Sequence, residues 1–314
     1  MKVGIDDIES ARARIAGRVR RTPVAALDQL KVPPAVEARV SLKLELLQVT
    51  GSFKARGAMN RLMSTPKESL SAGIVTASGG NHGLAVARTA HVAGVPAAIF
   101  VPSNVSMAKV DKMRAWGAKV EIVGDVFDQS NAAALEHAAK TGAVYFHPFA
   151  DPLVVAGQGT LGLEILDDLP DVDAVLVAIG GGGLISGLST AIRARRAGIK
   201  IVGIEPTGSP TLKASLDAGH VVTLPTVTTR VATMSCRRTE EFIFEIVRRN
   251  VDDIVLVNDD EMEEASRWLW FEMGVAADLS GAASLAALRK APASLRGARH
   301  ICALVCGAGA EGTG

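Results

Sequence analysis

Three short stretches of this sequence hold residue types that can do chemistry at a useful spacing. The first, Thr50-Gly51-Ser52-Phe53-Lys54-Ala55-Arg56-Gly57, puts one lysine among small and polar neighbours where the chain turns into a helix. A lysine amine is a solvated charge by default and becomes a nucleophile or base when its surroundings lower its pKa. The second, Ser78-Gly79-Gly80-Asn81-His82-Gly83, joins a β-branched run to a helical pattern. Its glycine amides, with Ser78 and Asn81, can hold a carboxylate, while His82 can lie on the helix as packing. The third, Gly180-Gly181-Gly182-Gly183-Leu184, sits where a buried strand becomes a helix, and bare amides at a helix N-terminus bind an anion. It lacks the lysine of a GxxxxGK[ST] loop and fits GxGxxG poorly. Taken singly, the three read as a surface lysine, a helix cap and a tight turn. Together they offer an amine, a carboxylate loop and a phosphate cradle.

Such loops need a scaffold that ends strands and starts helices beside one another. With 314 residues, 48% hydrophobic and 21% charged, the chain can bury a large core, and its length suggests two domains. Asp6-Asp7-Ile8-Glu9 reads as a capping box opening a first helix that ends before Thr22-Pro23. Short β-branched runs then alternate with helical patterns: GIVTA, PAAIFVP, AKVEIVG and AVYFHPF before Asp151-Pro152, then DAVLVAIG, KIVGIEP and HICALVCG. The helix after Asp151-Pro152 is read as GTLGLEILDDL. Strands alternating with helices imply parallel sheet, so the fold class is α/β. The expected organisation is a large domain of residues 1–72 and 149–314 and a small inserted α/β domain of residues 73–148. The site is expected in the cleft between them, at the C-terminal ends of strands.

A net charge of +1, with acids and bases interspersed, leaves no basic stripe for nucleic acid and no polybasic membrane anchor. The first residues are charged and lack an apolar core of signal-peptide length, and no later run is long enough to span a bilayer uncharged. Cys236, Cys302 and Cys306 are odd in number and lack CxxC spacing. Neither a disulfide framework nor a zinc site is expected, which suits a reducing cytoplasm. The expected partners are a small molecule and further copies of the chain.

In this order the three stretches resemble the fold-type-II pyridoxal-phosphate enzymes, most closely the threonine/serine dehydratase family. The resemblance runs through RTP, KLELLQVTGSFKARGA, TASGGNHG, AGQGTLGLEI, GGGGL, GIEP and VDDIVLVNDDEM to the last strand. It implies a tryptophan synthase β-subunit-like fold, two open parallel-sheet domains, a pyridoxal 5'-phosphate cofactor and a homodimer or larger homo-oligomer. It also implies that Lys54 carries the cofactor covalently, that Phe53 packs against its ring and that Asn81 hydrogen-bonds the ring oxygen. Gly180, Gly181, Gly182, Gly183 and Leu184 are assigned to the cofactor phosphate. Ser78, Gly79, Gly80, Asn81 and His82 are assigned to the substrate. Cys306, ending the last strand, matches the position where relatives place a serine, threonine or cysteine near the pyridine nitrogen.

The activity so implied is β-elimination from L-threonine or L-serine, a small hydroxyamino acid, to 2-oxobutanoate or pyruvate and ammonia. The substrate amine displaces Lys54, which then takes the Cα proton, and the cofactor absorbs the developing charge. Departure of the β-hydroxyl leaves an enamine that hydrolyses to the oxo acid, with the cofactor phosphate implied as the acid for that hydroxyl. A thiol is a weak hydrogen-bond partner and no carboxylate is evident beside Cys306, which favours prompt elimination over transamination. Racemases of the family carry a serine where this chain has Gly79. One face of the substrate then lacks an acid, and little racemisation is expected.

Some positions depart from the family. Thr233 replaces a glycine bordering the cofactor, and Asp278-Leu279 replaces Glu-Pro. Thr211 stands where relatives that bind a cation through the equivalent of Glu205 have an aspartate, and no metal site is assigned. Other readings are elimination from another hydroxyamino acid such as 3-hydroxyaspartate, a catalytically silent relative, and a dinucleotide-dependent dehydrogenase. The last leaves TGSFKARG and SGGNHG without a task. A bulky residue at Gly181 or Gly182 is expected to weaken cofactor affinity far more than the fold. No regulatory domain is expected after residue 314, nor feedback through a C-terminal sensor.

Overall fold

The computed structural model describes residues 2–313. Its strands in chain order are β1 (Val24–Ala26), β2 (Arg39–Lys43), β3 (Ile74–Ala77), β4 (Ala97–Val101), β5 (Lys119–Ile122), β6 (Val144–Tyr145), β7 (Ala174–Ala178), β8 (Lys200–Pro206), β9 (Asp253–Val257) and β10 (His300–Leu304). Its helices are α1 (Ile5–Ile15), α2 (Lys54–Met63), α3 (Asn81–Ala93), α4 (Met107–Ala115), α5 (Phe127–Thr141), α6 (Pro152–Asp168), α7 (Gly183–Arg195), α8 (Thr211–Ala218), α9 (Glu241–Asn250), α10 (Asp259–Met273) and α11 (Leu279–Arg289). The expected α/β class is therefore observed.

Two sheets organise these elements. A six-stranded sheet runs β1-β2-β10-β7-β8-β9, and a four-stranded sheet runs β5-β4-β3-β6. Among the described strands only the β1–β2 pair is antiparallel. β10 closes the middle of the larger sheet between β2 and β7, so strands from both ends of the chain meet there. Strands such as β4, β7 and β10 are buried throughout, as short apolar runs covered by helices on both faces must be.

The hydrophobic cores do not divide as the sheets do. Ala58, Met59 and Leu62 of α2, with Ile15 of α1, pack against Ile74, Ile99 and Met113 around the smaller sheet. On its other side α2 is tied to the larger sheet by buried charges. Arg56 pairs with Glu45 at 2.6 Å and Glu164 at 2.9 Å, while the Lys43 amine meets Glu164 and Asp168, each at 2.7 Å. Breaking one partner of such a network leaves the others buried and uncompensated, so it fixes geometry firmly.

Three local readings are corrected. α1 starts at Ile5 with Gly4 as its N-cap, and Asp7 rather than Glu9 reaches back, accepting from the Gly4 amide at 2.8 Å. Glu9 is drawn instead to Arg195 across the helix interface. α6 begins at Pro152, with Asp151 capping the amides of Leu153 and Val154, well before GTLGLEILDDL. Its glycines lie against other backbones, Gly157 against Gly57 and Gly159 against Gly187, so they serve close helix approach rather than interrupting the helix. AVYFHPF supplies only a two-residue strand: the Phe146 amide still donates to the Val75 carbonyl, and beyond it Pro148 and Phe149 turn to line the cleft.

Candidate active site

Lys54 opens α2, and the end of the last strand sets where it stands. The Phe53 amide donates to the Cys306 carbonyl at 3.3 Å, and the Ala308 amide donates to the Gly51 carbonyl at 2.8 Å. Thr50 and Gly51 both adopt positive φ, which bends the chain sharply into the helix. Lys54 is half-buried, and its amine donates to the Pro148 carbonyl at 2.7 Å. Burial lowers its pKa to about 8, with Cys306 and Cys236 acting weakly the other way. It stays mostly protonated near physiological pH, but a far larger fraction is neutral than for a free lysine, as a nucleophile or base requires.

Two histidines stand nearby, and both are neutral. Burial and the Lys54 charge push His82 down to about 3 and His147 to about 4. The Nε2 of His82 donates to the Phe146 carbonyl at 3.1 Å, and its buried Nδ1 has no protein partner among the described residues. The Nδ1 of His147 accepts from the amides of Phe149 and Ala150. His82 therefore presents its ring to the protein, while its backbone amide takes no protein acceptor among the described residues.

The loop before α3 matches the carboxylate expectation in its free donors. The amides of Gly79, Asn81 and His82 find no acceptor among the described residues, and Ser78 Oγ accepts from Gly80 at 3.3 Å. Asn81 Nδ2 donates to Asp278 at 2.9 Å. Asp278 also accepts from Ser280 Oγ and the Gly281 amide, capping α11. Its place in the sequence marked it only as a departure; the structure makes it the support of Asn81.

The tetraglycine run precedes α7, and the amides of Gly180 through Leu184 likewise find no protein acceptor among the described residues. Unpaired donors on the positive end of a thirteen-residue helix make an anion site. Thr239 Oγ1 secures the loop by donating to the Gly181 carbonyl at 3.0 Å. An ideal Cβ on Gly181 would lie 2.5 Å from Cε1 of Phe149 and closer still to other ring atoms, and one on Gly182 would meet Ile243 at 2.5 Å. These glycines are therefore required by packing as well as by any anion. Packing thus argues that lost affinity and lost stability go together at these two positions.

One cavity of about 740 Å³ gathers these groups. Phe53, Lys54, Ser78, Gly79, Gly80, Asn81, His82, the run Gly180 to Leu184 and Cys306 all line it. The Cys306 thiol donates weakly to the Ser280 carbonyl at 3.4 Å, and burial pushes its pKa well up, so it stays protonated. A carboxylate does lie near it, Asp278, contrary to expectation, but donors already occupy that group. Sequence reasoning missed Phe149 and the role of Asp278, and of the wall from Ala232 to Arg238 it marked only Thr233 as bordering the cofactor. That wall has no helix or strand, hence no periodicity to reveal it. Glu205 accepts from the Leu212 and Lys213 amides at 2.8 Å each, a helix cap on α8.

An amine of lowered pKa, a cradle of free amides on a helix dipole and a fixed carboxamide fit an aldehyde-bearing phosphate cofactor. Residues 15–307 match the family described as pyridoxal-phosphate dependent enzyme. This chain belongs to that family. Among curated relatives of this pyridoxal-phosphate-dependent enzyme, L-threonine ammonia-lyase of Thermotoga maritima is 40% identical over 91% of this chain and 71% of its own. Among solved structures, maize serine racemase superposes with a TM-score of 0.92 at 33% identity, covering 98% of this chain and 94% of its own. A T.th. threonine deaminase superposes with a TM-score of 0.88 at 34% identity, covering 97% of this chain and 98% of its own. The fold-type-II architecture of this pyridoxal-phosphate-dependent enzyme is thus established.

Proposed function

We propose that this enzyme is an ammonia-lyase that dehydrates L-threonine, L-serine or both to 2-oxobutanoate or pyruvate and ammonia. The observation that carries this reading is Lys54, half-buried, lowered to about pKa 8 and placed in one cavity with two loops of free amides. Threonine ammonia-lyase and deaminase among its relatives support it. Lys54 would anchor the cofactor, and as a free amine it would take the substrate Cα proton. The bound cofactor supplies an electron sink for the charge left on Cα. Phe53 would pack beside the cofactor's ring, Asn81 would donate to its oxygen, and the free amides of residues 180–184 would hold its phosphate. The amides of Gly79, Asn81 and His82, with Ser78, hold the substrate carboxylate. Cys306, a buried thiol that stays protonated, would offer the cofactor's ring nitrogen no carboxylate partner. Loss of the Cα proton and the β-hydroxyl removes water, and hydrolysis returns it as ammonia leaves.

Residues 1–72 with 149–314 form the cofactor-binding domain in this reading, and 73–148 the inserted one. The segregation of strands between the two sheets supports that division. The assembly is a homodimer or larger homo-oligomer, a reading supported by exposed Val32, Trp270 and Phe271. Arg237 and Arg238 on the cavity wall favour a second reading, elimination from an acidic hydroxyamino acid such as 3-hydroxyaspartate. A panel of hydroxyamino acids, followed by oxo-acid release, separates the two. Lys54→Ala should lose the visible band of the bound cofactor and at least a thousandfold in kcat, on the order of removing both nucleophile and base. Near-normal turnover by that variant would overturn the assignment.

A further inference from the structure

The segment between α8 and α9 carries a tight turn whose tip reaches both donor loops at once. The Met234 amide donates to the Val231 carbonyl at 2.9 Å, closing a turn with Ala232 and Thr233 at its corners. Val231 and Met234 are buried, while Ala232 and Thr233 are exposed and line the cavity. The turn is also held from behind. Thr229 Oγ1 accepts from the Val231 amide at 3.1 Å and donates to Asp259 at 2.6 Å. Two close approaches fix the position of Thr233. An ideal Cβ on Gly80 would lie 3.4 Å from its Cγ2, and one on Gly180 would lie 2.7 Å from its carbonyl oxygen. Thr233 therefore bridges the substrate loop and the phosphate loop, with its methyl group toward the former.

We propose that Thr233 is a specificity-determining residue whose methyl group limits how large a β-substituent the substrate can carry. This rests on the functional reading above. A substrate held by its carboxylate at residues 78–82 and by its Cα near Lys54 has its side chain bounded by the residue that roofs Gly80. The turn is pinned at both buried ends, so it cannot easily retreat to admit a longer chain. The group set toward the substrate loop is the methyl, since Cγ2 is the atom nearest an ideal Cβ on Gly80, so the limit acts through size. Removing the methyl while keeping the hydroxyl should open the space. Keeping both branches while removing the hydroxyl should not.

The test uses the holoenzyme, Thr233→Ser and Thr233→Val. Binding of the unreactive series L-alanine, L-2-aminobutyrate and L-norvaline is followed by the change in cofactor absorbance, and kcat/KM is measured for serine, threonine and 3-hydroxynorvaline. Thr233→Ser should improve binding of the two longer chains relative to alanine by about tenfold, the usual worth of one methyl-sized group in a pocket. The ratios of kcat/KM should move the same way, and Thr233→Val should keep wild-type ratios. Ratios within about twofold of wild type in Thr233→Ser, well short of that worth, overturn the proposal, as does an equal shift in Thr233→Val. If no hydroxyamino acid yields oxo acid with the wild type, the functional reading fails, and the binding ratios still decide the role of Thr233.

Discussion

A side chain at position 79 would not enter open space. An ideal Cβ on Gly79 lies 2.7 Å from Cγ2 and 3.2 Å from Cβ of Val105, so even serine requires that valine to move. Overpacking of this kind costs about 1–3 kcal/mol. Gly79→Ser should therefore lower the melting temperature by a few degrees, and Val105→Ala added to it should recover most of the loss. The wild type should show little racemisation in heavy water, by chiral analysis of amino acid recovered at partial turnover. The double variant restores a hydroxyl at that position and should produce more deuterated D-enantiomer. An unchanged melting temperature in Gly79→Ser would show that Val105 yields freely. At this scale the chemistry-bearing residues were legible, because an amine and two glycine-rich strand-to-helix turns are local patterns. Their packing partners were not, since nothing near position 79 announces Val105.

The strand-to-helix turns obey tertiary contacts as much as their own sequence. The tetraglycine loop admits no Cβ at Gly181 because the Phe149 ring fills that space. Gly181→Ala should then lower thermal stability and cofactor affinity together, and a second change, Phe149→Leu, should restore part of both. Cofactor titration beside thermal unfolding decides this, and lost affinity at unchanged stability would return the loop to a pure phosphate contact. β8 ends in Glu205-Pro206, and the buried Glu205 carboxyl caps α8. Burial raises its pKa to about 7 against the backbone donors that lower it. A folded pKa above the unfolded one means that the fold holds the proton more tightly. The associated stability is full below the unfolded value of 4.5 and is lost as pH climbs through about 7. Glu205→Gln should flatten that part of the curve of melting temperature against pH, whatever it does to the baseline. An identical slope in the variant would show that Glu205 does not titrate there. Most strands were readable from their β-branched runs, and the starts of α2, α3 and α7 from their glycine-rich turns, whereas the starts of α1 and α6 were not. α1 and α6 are positioned by Gly4 and Asp151 and by glycines that let backbones touch, and the apolar period does not report such contacts.

Across the whole molecule, the bond between Asn81 and Asp278 joins the helix that leaves β3 to the helix that packs against β10. The partners lie 197 residues apart, which is why no local pattern could reveal them. Asp278 is buried and receives three donors: Asn81 Nδ2, Ser280 Oγ and the Gly281 amide. A carboxylate only accepts, so it satisfies all three, whereas an asparagine turns an amino group toward one of them. Leaving a buried donor unpaired costs about 1–3 kcal/mol. Asp278→Asn should accordingly lower the melting temperature by a few degrees. Because Asn81 faces the cofactor cavity and loses its support, the same change should also speed cofactor release from the holoenzyme. Asp278→Glu keeps the acceptor character but lengthens the arm, and should fall between. Unfolding curves and the decay of cofactor absorbance on dilution measure both effects. If Asp278→Asn left stability and release as in the wild type, the bond would be a contact across the cleft and not what holds it.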